Sequence, residues 1–239
     1  MIMKQINGNH LELDLSDSEV ASHFGNPYNY TKEIIEQFDQ DIYEGIVTKD
    51  DKIILDCGAN VGLFCLHVLP YAQKVVCVEP TPEHMSVQKK LVRQGLPNTK
   101  TDSGGERFIM VPQIIHEESA VNSYTGKVNF HRCGINFTMN SLHHQNRDAA
   151  FEVNCYTLAD LLDKHNLDHV DLCKIDIEGG EDIAITTDLL KACGNRIKKV
   201  FIELHPATTE YQDKFQLIFE AAGFAVVRNH NDGLICTKL

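Results

Sequence analysis

The chain has 239 residues and eight cysteines but no C-x-x-C pair. Cys57, Cys65, Cys77, Cys133, Cys155, Cys173, Cys193 and Cys236 are scattered, several inside apolar runs such as "VVCVEP" and "VDLCKI". That pattern argues against a zinc site or a disulfide frame and for buried, reduced thiols in a cytoplasmic protein. No window approaches 18 consecutive apolar residues, and "MIMKQINGNHLELDL" lacks an apolar core followed by a small-residue cleavage site, so no membrane partner and no export are expected. Basic charge is scarce too: 22 Lys and Arg stand against 34 Asp and Glu, a net charge of -12. Such a surface repels a phosphate backbone, and no basic patch with interleaved aromatics occurs. The densest basic run, "NRIKK" at 195–199, reads most simply as cations near a helix C-terminus. These absences disfavour nucleic acid and leave a small-molecule substrate as the expected partner, with a homo-oligomer left open.

What is present is an alternation of strand and helix patterns. "KIILD" (52–56), "KVVCVEP" (74–80), "VDLCKI" (170–175) and "KKVFIELH" (198–205) read as buried strands. "RFIMVPQII" (107–115) reads as a strand interrupted by Pro112, hence edge-like or bulged. Helices are expected from about Val61 to Leu69, after Thr81 and Pro82, over "TLADLLDKHNL" with Thr157 and Asp160 in capping-box spacing, from Glu181 to about Leu190, and where Tyr211, Phe215, Ile218, Phe219 and Ala222 share a face. "GKVNFHRC" and "FEVNCY" are strand-like and enclose a polar segment holding Asn136, Asn140 and Ser141, either a substrate lid or a solvated loop. "FAVVRNHNDGLICTKL" reads as two strands about a polar turn. The sum is an α/β, doubly wound, Rossmann-like fold with a largely parallel sheet and an antiparallel C-terminal hairpin. Residues 1–50, with a short strand in "HLELDL" and a helix carrying Ile34, Ile35, Phe38 and Ile42, are expected as an appendage packed on a main domain of 51–239. "NTKTDSGGER" (98–107) is the one stretch with the composition of a flexible loop.

In an open parallel sheet, ligands bind beyond the carboxyl ends of the strands. The first such end is "DCGANVG", with Asp56 ahead of Gly58 and Gly62, and the second is Glu79, 21 residues after Gly58. A glycine turn admits a ligand close to the backbone, and an acid on the next strand can accept two hydrogen bonds from a ribose diol. The pair signals an adenosine-containing cofactor. Aligned on Gly58, the dinucleotide fingerprint G-x-G-x-x-G would have its first glycine at Asp56 and its last at Val61, and that Asp would repel a pyrophosphate. A P-loop fails because no G-K-[ST] follows Gly62. S-adenosylmethionine, which carries an ammonium and a sulfonium, suits a carboxylate at this turn. The plainer explanation is that Gly58 and Gly62 only let strand and helix pack closely.

"ILDCGANVGLF", "VVCVEPTPEHMSVQKKL", "DLCKIDIEGGEDIAI" and "VFIELHP" together resemble the FkbM family of class I S-adenosylmethionine-dependent methyltransferases, over about residues 52–206. The resemblance implies a seven-stranded sheet with an antiparallel final strand and methylation of hydroxyl groups on secondary metabolites or sugars. It places Asp56, Gly58, Asn60 and Gly62 in the cofactor loop, Glu79 on the ribose, and Lys174, Asp176, Glu178 and Glu181 in the acidic motif. In this fold the strand ending at Asp176 lies beside the first strand and borders the methyl group, so Asp176 counts as cofactor-binding and catalytic. His116 follows the third strand, where an adenine contact is usual; it reads equally well as a surface histidine. The chain departs from the family pattern at Cys57, at Ala159 and in the apparent insertion "NTKTDSGGER".

Asp176, Glu178, Glu203 and His205 are expected to converge on the acceptor pocket, Lys174, Asp176 and Glu178 by alternation along one strand and Glu203 with His205 along the next. Methyl transfer needs a close, aligned acceptor and, for an alcohol, a base. One expectation makes His205 or a carboxylate of Asp176 and Glu178 that base. Another lets Asp176, Glu178, Glu203 and His205 hold Mg²⁺ or Mn²⁺, which would acidify the hydroxyl. The plainer explanations are a structural ion pair for Lys174 and a helix N-terminus for Glu181 and Asp182. His143 and His144 are adjacent and point apart on most backbones, which argues against a metal there. Transfer to nitrogen, or a methyltransferase fold that binds the cofactor without transferring methyl, are the alternatives.

Overall fold

A computed structural model of the chain describes residues 2–6, 9–13, 43–96, 111–132, 149–229 and 233–239. The expected helix at 31–42, the loop at 98–107, the polar segment with Asn136, Asn140, Ser141, His143 and His144, and the tip of the C-terminal turn lie outside the described residues.

The first buried run forms β3 (Ile53–Cys57), covered on both faces from Ile54 onward. Its alternating side chains divide the core. Leu55 and Cys57 join Val76, Val78, Ile175 and Ile202 under the later helices, whereas Ile54 joins Val75, Leu172 and Phe201 under the earlier ones. Period-two alternation on a strand buried on both faces produces this split. β3 pairs in parallel with β4 (Lys74–Val78) on one side and β9 (Leu172–Ile175) on the other. β4 continues to β5 (Gln113–Glu117), and β9 to β10 (Lys199–Glu203). The C-terminal hairpin of β11 (Phe224–Arg228) and β12 (Gly233–Lys238) completes the order β11-β12-β10-β9-β3-β4-β5. β12 is antiparallel to both its neighbours. This is the expected seven-stranded sheet, and the strand order reverses beside β3.

One face carries α1 (Leu63–Val68) and α2 (Pro82–Gly95). The other carries α3 (Leu158–Lys164), α5 (Thr187–Ala192) and α6 (Thr209–Ala221). Thr157 caps α3 as expected, its Oγ1 accepting the Asp160 N–H at 3.1 Å, but Asp160 Oδ2 accepts the Thr157 hydroxyl at 2.8 Å and not the Thr157 N–H, so the reciprocal half of the capping box is not made. The single helix expected from Glu181 is two: a short α4 (Glu181–Ala184) and α5, separated by the extended Ile185 and the N-cap Thr186. Tyr43 and Ile46 pack against the α1 and α2 face.

Three further differences emerge. β1 (Ile2–Ile6) pairs antiparallel with β2 (Asn9–Leu13), and only β2 had a visible pattern. Pro112 precedes β5 instead of interrupting it, where its missing N–H costs no ladder bond, and the strand runs on to Glu117. The strand-like runs around the polar segment do not join the main sheet. β7 (Gly126–Arg132) and β8 (Ala149–Tyr156) pair with each other, and β8 pairs with β6 (Ala120–Val121), forming a separate three-stranded sheet. No helix among the described residues is long and apolar enough to cross a membrane. The seven described cysteines are all buried and free.

Candidate active site

Beyond the C-terminal ends of β3, β4, β5 and β9 lies a cavity of about 520 Å³ of empty space, part of it open to solvent. Gly58, Asn60, Glu79, His84, Ser119, Asp176 and Glu178 contribute to its wall. Gly58 has φ +79, and a Cβ there would stand 1.7 Å from the Asp176 carbonyl oxygen. The turn therefore brings β3 and the end of β9 into backbone contact that only glycine permits. Gly62 begins α1 at φ +89 and does not line the cavity; its missing Cβ makes room for Gln88 and Val92 of α2. For this glycine the close-packing explanation is the right one.

Glu79 is held from several sides. Oε2 accepts the Asn60 N–H at 2.9 Å, Oε1 accepts the Thr81 N–H at 2.9 Å, and His84 Nδ1 is 3.2 Å from Oε1. Burial pushes this carboxyl up, but the hydrogen bonds from His84 and Thr81 outweigh it and leave it below the ordinary value. An ionised carboxylate offers about four acceptor sites, so little capacity is left beyond these bonds, and a ligand diol must share it with His84. Asn60 Oδ1 and Ser119 Oγ are buried, line the cavity and have no protein partner. Unpaired polar atoms around an ionised acid are what an adenosine group, rich in donors and acceptors, would satisfy. S-adenosylmethionine therefore fits these residues.

Besides Gly62, two more of the expected cofactor residues lie elsewhere. In the sheet register Asp56 is beside Cys77 and Lys174, and Cys77 beside His116, so the row projects beneath α1 and α2. His116 Nδ1 is 2.6 Å from Gln88 Oε1, and Gln88 Nε2 donates to the Asn60 carbonyl at 2.9 Å. His116 thus braces the cofactor loop through Gln88 and does not line the cavity; Ser119, three residues on, does. Asp56 is fully buried with neither carboxylate oxygen hydrogen-bonded. Burial pushes it up to about 7, against the pull of Lys174. A carboxyl raised in the fold binds more protons than in the unfolded chain between about pH 4 and 7, so it removes stability as pH rises through that window. Asp56→Asn is accordingly expected to melt higher than the wild type at pH 8, with the gain shrinking as pH falls and vanishing below about pH 4; equal melting temperatures at pH 8 would refute the burial argument.

On the acceptor side, β9 ends at Ile175, so Glu178 does not arrive by strand alternation. It sits at φ +53 in the turn before Gly179, and the turn returns it to the carboxylate side. Lys174, buried, donates to Asp176 Oδ2 at 2.8 Å and is the structural ion pair anticipated for it. His205 Nδ1 lies 3.4 Å from Glu181 Oε1, while Nε2 faces Glu178 Oε2 at 3.8 Å and Glu203 Oε1 at 4.0 Å. Asp176, Glu178, Glu203 and His205 do converge, although only Asp176 and Glu178 line the cavity itself. Burial, then the charge of Asp176, pushes Glu178 up to about 7. For His205 burial works downward, but the Glu181 hydrogen bond and the charges of Asp176 and Glu178 prevail and raise it to about 9. Gln88, His84, Ser119 and the orienting contact of Glu181 escaped the sequence reading. Of these only Glu181, in the acidic motif, carried a signal.

The sheet order, the glycine turn and the acid after β4 define the chain as a class I S-adenosylmethionine-dependent methyltransferase. The family model for the methyltransferase FkbM domain matches residues 56–226, and the chain belongs to that family. No curated relative matches it in sequence. Among solved structures it is similar to the precorrin-6y C5,15-methyltransferase of Geobacter metallireducens, at 13% identity and TM-score 0.47, covering 85% of this chain and 88% of that one. It is also similar to the magnesium protoporphyrin IX methyltransferase of Synechocystis, solved with S-adenosylmethionine bound, at 10% identity and TM-score 0.39, covering 89% and 81%.

Proposed function

We propose that this methyltransferase acts on a hydroxyl of a small molecule, a sugar or specialised metabolite, and not on nucleic acid. The observation that carries the reading is that Asp176 and Glu178 line the same cavity as Gly58 and Glu79. A proton acceptor thereby stands next to the cofactor residues. When bound, S-adenosylmethionine supplies an electrophilic methyl on a sulfonium. Gly58, Asn60, Glu79 and Ser119 would hold its adenosine part, and Asp176 would border its reactive end.

Glu178 is the base in this reading. An acid near pH 7 matches its task, because it is ionised at working pH yet still takes a proton readily. His205, raised to about 9, carries its own proton at neutral pH and serves as a cationic partner to the carboxylates. Glu178→Gln is expected to lower kcat about 10²–10⁴-fold with unchanged S-adenosylmethionine affinity, and the wild-type rate should rise with pH through about 7. The test is S-adenosylhomocysteine release with paired hydroxyl and amine acceptors. Turnover only on amines, or full kcat in Glu178→Gln, would count against the hydroxyl reading and favour transfer to nitrogen. A divalent cation, Mg²⁺ or Mn²⁺, on these same side chains is the second reading, favoured by their spacing.

A further inference from the structure

Asp176, Glu178 and His205 each offer one ligand atom, and all three atoms lie within 4.8 Å of one another. Around octahedral Mg²⁺ at about 2.1 Å, opposite ligands stand about 4.2 Å apart and adjacent ones about 3.0 Å, so side-chain rotation has to close a gap of between about 0.6 and 1.8 Å at most. Behind them, Glu181 is wholly buried. Its Oε1 accepts the Gly179 N–H at 3.2 Å and faces His205 Nδ1, while its Oε2 has no partner. Without an ion His205 holds both ring protons; an ion that displaces the one on Nε2 leaves the Nδ1 hydrogen on the buried carboxylate and the Nε2 lone pair facing outward, and histidine ligands of metals are oriented in this way. A surface ion pair needs no such backing.

The charges agree. Asp176, Glu178, Glu181 and Glu203 face one ammonium, Lys174, and one imidazole, His205. Lys174 is already committed to Asp176 Oδ2. Glu178, Glu203 and His205 are partly exposed, which leaves an entry path.

We propose that Asp176, Glu178 and His205 form a divalent-cation site of the hard-oxygen and imidazole type, suited to Mg²⁺ or Mn²⁺, with Glu181 as the positioning residue for His205. The inference rests on the methyl-transfer reading and changes only the route of the proton. With an ion in place Glu178 would be a ligand, and the acceptor's hydroxyl, made more acidic by the ion, would lose its proton to solvent water. The oxygen's electron pair then forms the new bond to the methyl carbon, and the carbon–sulfur pair stays on sulfur as S-adenosylhomocysteine leaves.

Protein stripped with EDTA and dialysed is to be titrated with Mn²⁺, following the paramagnetic resonance signal of the free ion. One saturable site per chain, for which Mg²⁺ competes, is expected. Glu181→Gln should weaken it about 10–100-fold, and His205→Ala should abolish it, both retaining wild-type calorimetric affinity for S-adenosylmethionine. Absence of a saturable site in protein that binds S-adenosylmethionine, or undiminished Mn²⁺ binding in His205→Ala, overturns the inference. Because Mn²⁺ binding is read without turnover, its failure leaves methyl transfer standing. Mn²⁺ bound normally in protein that methylates no hydroxyl acceptor would instead overturn the hydroxyl reading alone.

Discussion

Glu79→Ala is expected to lose S-adenosylmethionine binding by about 10²-fold or more, from charge-assisted hydrogen bonds of about 1.5–3 kcal/mol each and a tenfold change per 1.4 kcal/mol. The carboxylate does two jobs. It is the acid proposed to take the ribose diol, and it accepts the backbone N–H groups of Asn60 and Thr81, which flank the cavity. Asn60 is held at φ +48, so without its acceptor the cofactor loop has less reason to keep that conformation. Glu79→Gln should be nearly as harmful, because its amide would turn an N–H toward the backbone N–H of either Asn60 or Thr81. Calorimetric titration with S-adenosylmethionine and S-adenosylhomocysteine, with thermal melting as the check on folding, measures this. Affinity of Glu79→Gln within threefold of the wild type would contradict the assignment.

Gly58→Ala should be the most damaging glycine-to-alanine change among the described residues. The added Cβ meets the carbonyl oxygen of Asp176 at 1.7 Å and its carbonyl carbon at 2.7 Å, and both atoms are backbone. To admit it, β3 must part from the end of β9, where the Asp176 N–H donates to the Cys57 carbonyl at 3.0 Å. A positive φ costs alanine a further 1–2 kcal/mol, roughly. A loss above about 4 kcal/mol, in the range reserved for core disruption, is expected in urea unfolding, along with loss of cofactor binding. Gly62→Ala provides the contrast. Its Cβ meets side-chain carbons of Gln88 at 2.8 Å and Val92 at 3.2 Å, which can shift, so the loss should be clearly smaller. Equal urea midpoints for Gly58→Ala and the wild type would mean that the approach of the two strands is not tight.

Much of the fold was legible because it depends on local patterns. Buried parallel strands read as unbroken apolar runs, and "KVVCV", "KIILD", "LCKI" and "VFIE" became successive strands of the sheet. Thr157 became the N-cap that its spacing suggested, although Asp160 bonds its hydroxyl and not its N–H. Less legible were elements whose sequence did not show which partner they would choose. β7 and β8 carry strand composition, but nothing in them says that they pair with each other and not with the main sheet. The break between α4 and α5 was hidden in "AITTD", where Thr186 proved to be a cap.

The site divides in the same way. The sequence by itself determined the carboxylates at the strand ends and the glycine turn, since a turn at positive φ with no room for a Cβ demands glycine. It also determined that Asp176, Glu178, Glu203 and His205 belong together, because strand ends in a parallel sheet share one edge. Only the tertiary structure decided where each side chain is aimed. Sheet register put Asp56 and His116 in one row beneath the helices, so Asp56 is buried and His116 braces Asn60 through Gln88. A left-handed turn, not strand alternation, brought Glu178 to Asp176. The buried Glu181, set behind His205, decided which imidazole nitrogen faces the acceptor side. Register, turn handedness and burial are properties of packed elements, and a chain read one residue at a time does not contain them.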